Sequence, residues 1–258
     1  MTTRVALVTG GSRGIGRAIA LALGREGVAV AVTARHLTDA EKSAAELRAA
    51  GSKAHAVALD VAEAASVDAG VAEAVAALGR IDVLVNNAGV AESAPFAKTS
   101  PDMWRRHFAI NVDGPYRLTR AVLDGMLARR WGRVINIASM AGLVGSPYIT
   151  AYTASKHALV GLTRALATEV SGKGVTVNAV CPGFTATDMA WRSARNIVAK
   201  TGRSFEDAVA SLAGMNPGGR LVEPEEVAAA ALRLVGDEAA NGEIVVLDGS
   251  ATIRRSSP

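Results

Sequence analysis

Short runs of aliphatic and β-branched residues alternate along this chain with longer stretches of helical spacing. Val5-Ala6-Leu7-Val8-Thr9 is the first run, and it stops at glycine. A run of that length bounded by turn residues reads as a buried strand. The loop from Gly10 to Gly16 comes next, then a helical pattern over 17–26 closed by Gly27. The same alternation predicts strands over 28–33, 54–59, 81–85, 133–137, 175–180 and 244–247. Helices are predicted over 39–50 and 66–78, from Pro101 through Trp104 towards Asn111, from Tyr152 to about 171, and from Glu223 onward. Ser100 stands as the cap before Pro101, which takes its favoured first-turn position. Glu225 and Glu226 put acids in the first turn of the last helix. No linker, repeat or low-complexity block divides the chain. The expectation is an α/β fold, one domain over 1–258, with a doubly wound sheet of about seven parallel strands. From Asp188 to Met215 the pattern turns polar and less regular, as in a mobile helical insertion. The tail from Arg254 to Pro258 reads as loose.

Composition narrows the classes. Half of the 258 residues are apolar, which suits strands covered on both faces. Aromatics make up only 4%, too few for a base-stacking platform, and the net charge of +4 is scattered. The pairs Arg105-Arg106, Arg129-Arg130 and Arg254-Arg255 read as solvated surface, so no nucleic-acid partner is expected. The single cysteine, Cys181, lies in an apolar run and reads as a core thiol. No Cys/His cluster has metal-ligand spacing, and no metal is expected. The start resembles no signal peptide, and no apolar run reaches membrane-spanning length. A soluble, cytoplasmic protein is the expectation, with no membrane partner.

Chemistry gathers at the predicted strand ends. Strand, glycine loop and helix are the setting of a dinucleotide fingerprint, in which backbone N–H groups approach a pyrophosphate at a helix N-terminus. Here the spacing is Gly10-x-x-x-Gly14-x-Gly16, with Ser12, Arg13 and Ile15 between. An NAD-binding chain carries an acid about 20 residues past the glycines. This one has Arg35 after its second strand and no acid until Asp39. Arg35, with Arg13 approaching from the other side, suits a 2′-phosphate, so NADP(H) is favoured over NAD(H). Asp60-Val61 ends the third strand, where the acid would accept from an adenine amino group or cap a helix. Asn86-Asn87-Ala88-Gly89 follows the fourth, small enough for a flat ligand to lie close, with Asn able to brace neighbouring loops. Tyr152 and Lys156 lie one helical turn apart on one face. A tyrosine with a pKa near ~10 needs a nearby cation to shuttle protons near neutrality. Asn111 alone reads as a structural hydrogen bond within helix packing, and Ser139 alone as a turn residue or cap.

Together, Thr9 to Gly16, Asn86-Asn87-Ala88-Gly89, Asn111, Ser139, Tyr152-x-x-x-Lys156 and Pro182-Gly183 resemble the short-chain dehydrogenase/reductase family over nearly the whole chain. Asn136-Ile137-Ala138-Ser139, Ala154-Ser155-Lys156-His157 and Asn178 to Phe184 bring it nearest the β-ketoacyl thioester reductases, including those of aromatic polyketide synthesis. The resemblance implies a Rossmann fold, a nicotinamide cofactor and a catalytic tetrad of Asn111, Ser139, Tyr152 and Lys156. It also implies cofactor contacts from the glycine loop, Asn87, Ala88, Gly89, Tyr152, Lys156, Pro182, Gly183, Thr185 and Thr187. Thr185 stands where relatives often carry an aliphatic residue and use its backbone for the carboxamide. The insertion becomes a substrate lid over 188–216. The expected activity is NADPH-dependent reduction of a carbonyl, foremost a 3-oxoacyl thioester on acyl carrier protein or CoA. The alternative is a dehydrogenase of a free secondary alcohol or ketone, or of a hydroxyacyl-CoA, in a catabolic route with NAD(P), and a homotetramer is implied. A redox sensor or a methyltransferase would need the loop but not the tetrad.

Overall fold

Seven strands run parallel: β1 (Val5–Val8), β2 (Ala29–Ala34), β3 (Ala54–Ala58), β4 (Val83–Asn86), β5 (Gly132–Ile137), β6 (Val175–Pro182) and β7 (Ile244–Leu247). They are seen in a computed structural model that describes residues 3–250, and the backbone of 254–256. The sheet order is β3-β2-β1-β4-β5-β6-β7, extended at one edge by an eighth strand, β8 (Arg254–Ser256). β8 is antiparallel to β7, pairing Ile244 with Ser256 and Val246 with Arg254. Over 254–256 this corrects the expectation of a loose tail, while 257–258 lie outside the described residues: an open β7 edge offers unpaired backbone groups, and β8 satisfies them.

Strands buried on both faces explain the unbroken apolar runs. On one face α1 (Gly14–Arg25), α2 (Leu37–Ala49) and α9 (Pro224–Gly236) bury Ile19, Leu23, Leu47 and Leu234 against Val8, Val30, Val32 and Val245. On the other, α3 (Ala64–Leu78), α5 (Gly114–Ala128) and α6 (Thr150–Val170) set Val71, Leu118, Met126 and Val170 against Leu7, Leu84, Val134 and Val177. The doubly wound α/β fold expected from the sequence is thus present. Burial of such side chains is worth roughly 1.5–3 kcal/mol each.

Helix limits differ in informative places. α1 begins at Gly14, three residues before the apolar pattern does, because the second half of the glycine loop already has helical geometry. The helix from Pro101 is capped as expected, Ser100 Oγ accepting from Met103 N at 3.1 Å. It does not stop near Asn111. α4 (Pro101–Phe108) passes through a π-helical turn, Ala109–Asp113, directly into α5. The insertion is helical, as α7 (Asp188–Thr201) and α8 (Phe205–Gly214), with a small core of its own from Ala190, Ala194, Ala208 and Leu212.

Polar groups inside the sheet are paired across elements. Asn86 Nδ2 donates to Asn136 Oδ1 at 2.9 Å, and Asn136 Nδ2 donates to Thr163 Oγ1 at 2.9 Å. These bonds tie β4 and β5 to α6, and each is worth about 1 kcal/mol. At the opposite end of the strands, Trp131 lies between the guanidiniums of Arg4 and Arg133 at 4.0 and 4.3 Å. Buried Arg133 spends its N–H groups on the carbonyls of Val235, Gly132 and Gly174 and on Glu238, so the hollow there is a structural plug.

Candidate active site

Successive strands are laid down outward in opposite directions from β1, to β2 and β3 on one side and to β4 on the other, which opens a crevice at the C-terminal ends of β1 and β4. Thr9 and Asn87 stitch it. Thr9 Oγ1 accepts from the N–H groups of Asn87 and Ala88 at 2.9 and 3.0 Å, and donates to Val85 O at 3.2 Å. Asn87 Nδ2 donates to the carbonyls of Thr9 and Gly10 at 2.8 and 3.2 Å. The asparagine thus braces the loop, and the sequence offered no sign of Thr9's part. Gly10 and Gly14 have φ of 61° and 51°, where glycine is favoured. Gly16 has no room for a side chain: a Cβ would lie 2.3 Å from Gly10 O and 2.4 Å from Asn87 Nδ2. This shallow cradle at the start of α1 fits the pyrophosphate of a dinucleotide. Ser12, Arg13 and Ile15 fill the rest of the turn, with Arg13 exposed.

Arg35 projects into solvent from the end of β2 and makes no ion pair with the described residues, while Arg13 Nη1 lies 3.8 Å from Asp188 Oδ2. Arg35 thus follows the C-terminal end of β2, and Arg13 immediately precedes α1. Asp60 is not the cap of α3, a position that falls to Glu63. Its Oδ1 accepts from Ala62 N at 3.0 Å, shaping the turn after β3, with Val61 buried against Gly114.

Across the crevice the sheet delivers Ser139 from the end of β5 and Tyr152 and Lys156 from α6. The Ser139 hydroxyl accepts from Ala141 N at 3.1 Å, which opens a short 3-10 turn, and stands beside the Tyr152 phenol. Lys156, only 4% exposed, donates from Nζ to Ile137 O at 2.8 Å and lies 5.8 Å from the Tyr152 ring centroid. Asn111 is buried in the π turn. Its Nδ2 donates to Ser155 Oγ at 2.9 Å, and Ser155 Oγ donates to Tyr152 O at 2.7 Å. A Cβ at Gly89 would meet Asn111 Oδ1 at 3.3 Å and Lys156 Nζ at 3.6 Å, so glycine lets three elements converge. All four expected tetrad residues therefore come together.

Burial sets the charges. It pushes the Tyr152 phenol up, opposed by the Ser139 hydroxyl, and brings the Lys156 ammonium down to about 8. Lys156 is not among the causes of the phenol's shift, and its ammonium is turned to the Ile137 carbonyl. Cys181 is buried as expected, its thiol pushed up to about 11 by burial.

The third wall comes from β6 and the stems of the α7–α8 insertion. Pro182 ends β6, and Gly183 N bonds Leu247 O at 2.8 Å. Asn216 then grips Phe184 by both backbone groups, Oδ1 accepting from its N–H at 2.8 Å and Nδ2 donating to its C=O at 2.9 Å, while Nδ2 also reaches Arg220 O at 2.7 Å. Thr185 pairs with Val222 in a parallel bridge, and its hydroxyl donates to Gly183 O at 3.1 Å. Thr187, the residue before α7, donates to Thr185 O at 3.2 Å, and its methyl lies 3.2 Å from where a Gly14 Cβ would stand. Lid and glycine loop therefore touch. Asn216 was unmarked in the sequence except by the Pro217 turn that follows it.

A proton-exchanging phenol set opposite a cradle shaped for a dinucleotide defines an oxidoreductase of the nicotinamide-nucleotide class. Comparison supplies the particular family: residues 4–197 match the model of the short chain dehydrogenases, and the chain belongs to that family. It is 42% identical to the 3-oxoacyl-acyl-carrier-protein reductase FabG of Pseudomonas aeruginosa, over 97% of this chain and 95% of the relative. Identity to 2-(S)-hydroxypropyl-CoM dehydrogenase 3 of Xanthobacter autotrophicus is 40%, over 98% of each. A solved structure of a tryptophan variant of actinorhodin polyketide ketoreductase with NADPH superimposes with a TM-score of 0.92, at 39% identity and 96% coverage of both chains. No described helix is long and apolar enough to cross a membrane, and no described cluster of side chains has the make-up of a metal site.

Proposed function

We propose that this chain reduces a 3-oxoacyl thioester to its 3-hydroxyacyl form with NADPH. The observation that carries the reading is the meeting of Ser139, Tyr152 and Lys156 beside the glycine cradle. The names of the ketoacyl-reducing relatives support the substrate class. When bound, the cofactor supplies hydride to the carbonyl carbon.

The protein's part is a proton and a place. Burial keeps the Tyr152 phenol protonated at neutral pH, so it donates its proton to the carbonyl oxygen. Ser139 Oγ, beside that phenol, holds the same oxygen and stabilises its developing charge. Lys156 is mostly an ammonium at pH 7, where it binds the ribose hydroxyls of the cofactor and favours the phenolate once the proton has left. Asn111 fixes the α6 turn through Ser155 and holds a water that returns the proton from solvent. The glycine loop from Gly10 to Gly16 takes the pyrophosphate. Arg13 and Arg35 take the 2′-phosphate, and Asp60 and Val61 border the adenine. Asn87, Ala88, Gly89, Pro182, Gly183, Thr185 and Thr187 frame the nicotinamide half.

Residues 188–216 act as the substrate lid of one domain over 1–258. Exposed Arg192, Arg195, Lys200 and Arg203 on that lid suit an acidic carrier protein or CoA phosphates. A cytoplasmic homotetramer accompanies the reading, and exposed Trp104 and Tyr116 give α4 and α5 apolar surface for assembly. The 40% identity to a CoM-alcohol dehydrogenase keeps oxidation of a smaller secondary alcohol as the second reading.

NADPH consumption with acetoacetyl-CoA, an acyl-carrier thioester and simple cyclic ketones separates the two readings. Tyr152→Phe keeps the ring and removes the proton. Turnover in that variant equal to wild type would overturn the assignment.

A further inference from the structure

His107 is fully buried in α4, and its ring edge meets Tyr152 at 6.4 Å between centroids and 71° between planes. Both ring nitrogens are engaged. Nδ1 lies 2.8 Å from Met103 O, and Nε2 lies 3.1 Å from Glu92 N. A carbonyl only accepts and an amide N–H only donates, so a single neutral tautomer fits, protonated at Nδ1 and accepting at Nε2. The amide it receives belongs to the segment leaving β4. One turn further on, Asn111 holds the N–H and C=O of Val90 at 2.9 and 3.0 Å. Arg106 clasps the Glu92 carboxylate with two bonds, at 2.8 and 2.7 Å. Three residues of one helix thus bolt down the segment whose Gly89 abuts Lys156.

We infer that His107 is a positioning residue for Tyr152 and for the segment from Gly89 to Glu92, acting through the acceptor at Nε2. The inference rests on the reading of Tyr152 as the proton donor. A proton on Nε2 would face N–H against N–H, losing the bond to Glu92 and pushing the segment away from the tyrosine. Facing the ring are Glu92 from the segment, Tyr152 from α6 and, on its own helix, Arg106. The Arg106 hydrogen bonds hold the Glu92 carboxyl below the usual carboxylate range, and burial keeps Tyr152 neutral.

Two variants of the holoenzyme test this. His107→Gln keeps an acceptor near Nε2, whereas His107→Phe keeps the ring edge and loses the acceptor. Turnover, KM for acetoacetyl-CoA, NADPH affinity and amide exchange at Val90 and Glu92 are followed in both. His107→Phe should lose turnover on the order of tenfold, the effect of one hydrogen bond, with NADPH affinity unchanged and Glu92 exchange accelerated. His107→Gln should restore turnover to within about threefold of wild type and slow Glu92 exchange again. A Gln variant as impaired as the Phe variant, or a Phe variant with wild-type turnover and exchange, overturns the inference. Amide exchange needs no turnover, so an inactive wild type would sink the proposed function while His107 was still put to the test.

Discussion

A methyl group on Gly16 would sit 2.3 Å from the carbonyl oxygen of Gly10, closer than any packed pair of atoms tolerates. Loop and helix are nested backbone to backbone, and Asn87 holds the nest shut. Gly16→Ala is therefore expected to weaken NADPH binding by tenfold or more and to cost about 1–3 kcal/mol of stability, the usual range for overpacking. Fluorescence titration and chemical denaturation measure the two. An alanine variant with wild-type affinity would show that the loop can open without loss.

Lys156 leaves a signature in the pH dependence of stability. Its ammonium is held at about 8 by burial, against an ordinary value of 10.5. Below about 8 both folded and unfolded chains carry the proton, and the folded protein bears the full cost of a buried charge. Between about 8 and 10.5 the folded chain has shed the proton and the unfolded chain has not, so stability rises with pH. Relative to Lys156→Met, wild type should gain roughly 3 kcal/mol across that window. Cys181 acts in the opposite direction, from its ordinary 9.0 to about 11, chiefly through its own burial; it also feels Lys156 as a lesser cause, so it cancels between the two proteins only in part. A difference between the two unfolding curves that does not change with pH would mean the ammonium is not desolvated.

Asn216 makes three backbone hydrogen bonds that hold the two stems of the lid together. Asn216→Ala leaves the Phe184 N–H, on a half-buried residue, without its acceptor, at a cost of about 1 kcal/mol. KM for the thioester should rise several-fold, and limited proteolysis between α7 and α8 should become faster. Unchanged KM together with an unchanged cleavage rate would separate the clamp from substrate binding.

Cofactor choice turns on exposed cations rather than on buried fit. Arg35 has no ion-pair partner among the described residues, whereas Arg13 leans 3.8 Å from Asp188. Arg35→Asp should weaken NADPH binding by about tenfold or more, since charge-assisted bonds to phosphate are strong, and leave NADH binding nearly unchanged. Equal losses for both cofactors would point to disruption of the β2 end instead.

Much of this architecture is visible in the chain itself, because fully covered strands demand continuous Val, Leu and Ala and the loops between them are short. The glycine loop and the Tyr152–Lys156 spacing stand out for the same reason: both depend on near neighbours. The misreadings have a common physical origin in distant partners. His107 meets an amide fifteen residues back, and Asn216 meets one thirty-two residues back, so neither leaves a local trace. Asn111 gives only an oddity in an apolar stretch until the π turn carries its amide to Val90 and Ser155. β8 escapes notice because three polar residues become a strand only where β7 offers an edge.

The wide turn at Ala109–Asp113 also sets a limit on how this chain can vary. An α-helix rotates about 100° per residue, so one surplus residue shifts the angular phase of everything beyond it. The α4 half is indexed to the β4 exit through His107 and Arg106, and the α5 half to the sheet through Leu118 and Met126. Deleting any single residue between 109 and 113 would straighten the rod, yet no rotation of it could satisfy both ends. Length here is a coordinate of the site, as binding on inheritance as the identity of the tyrosine.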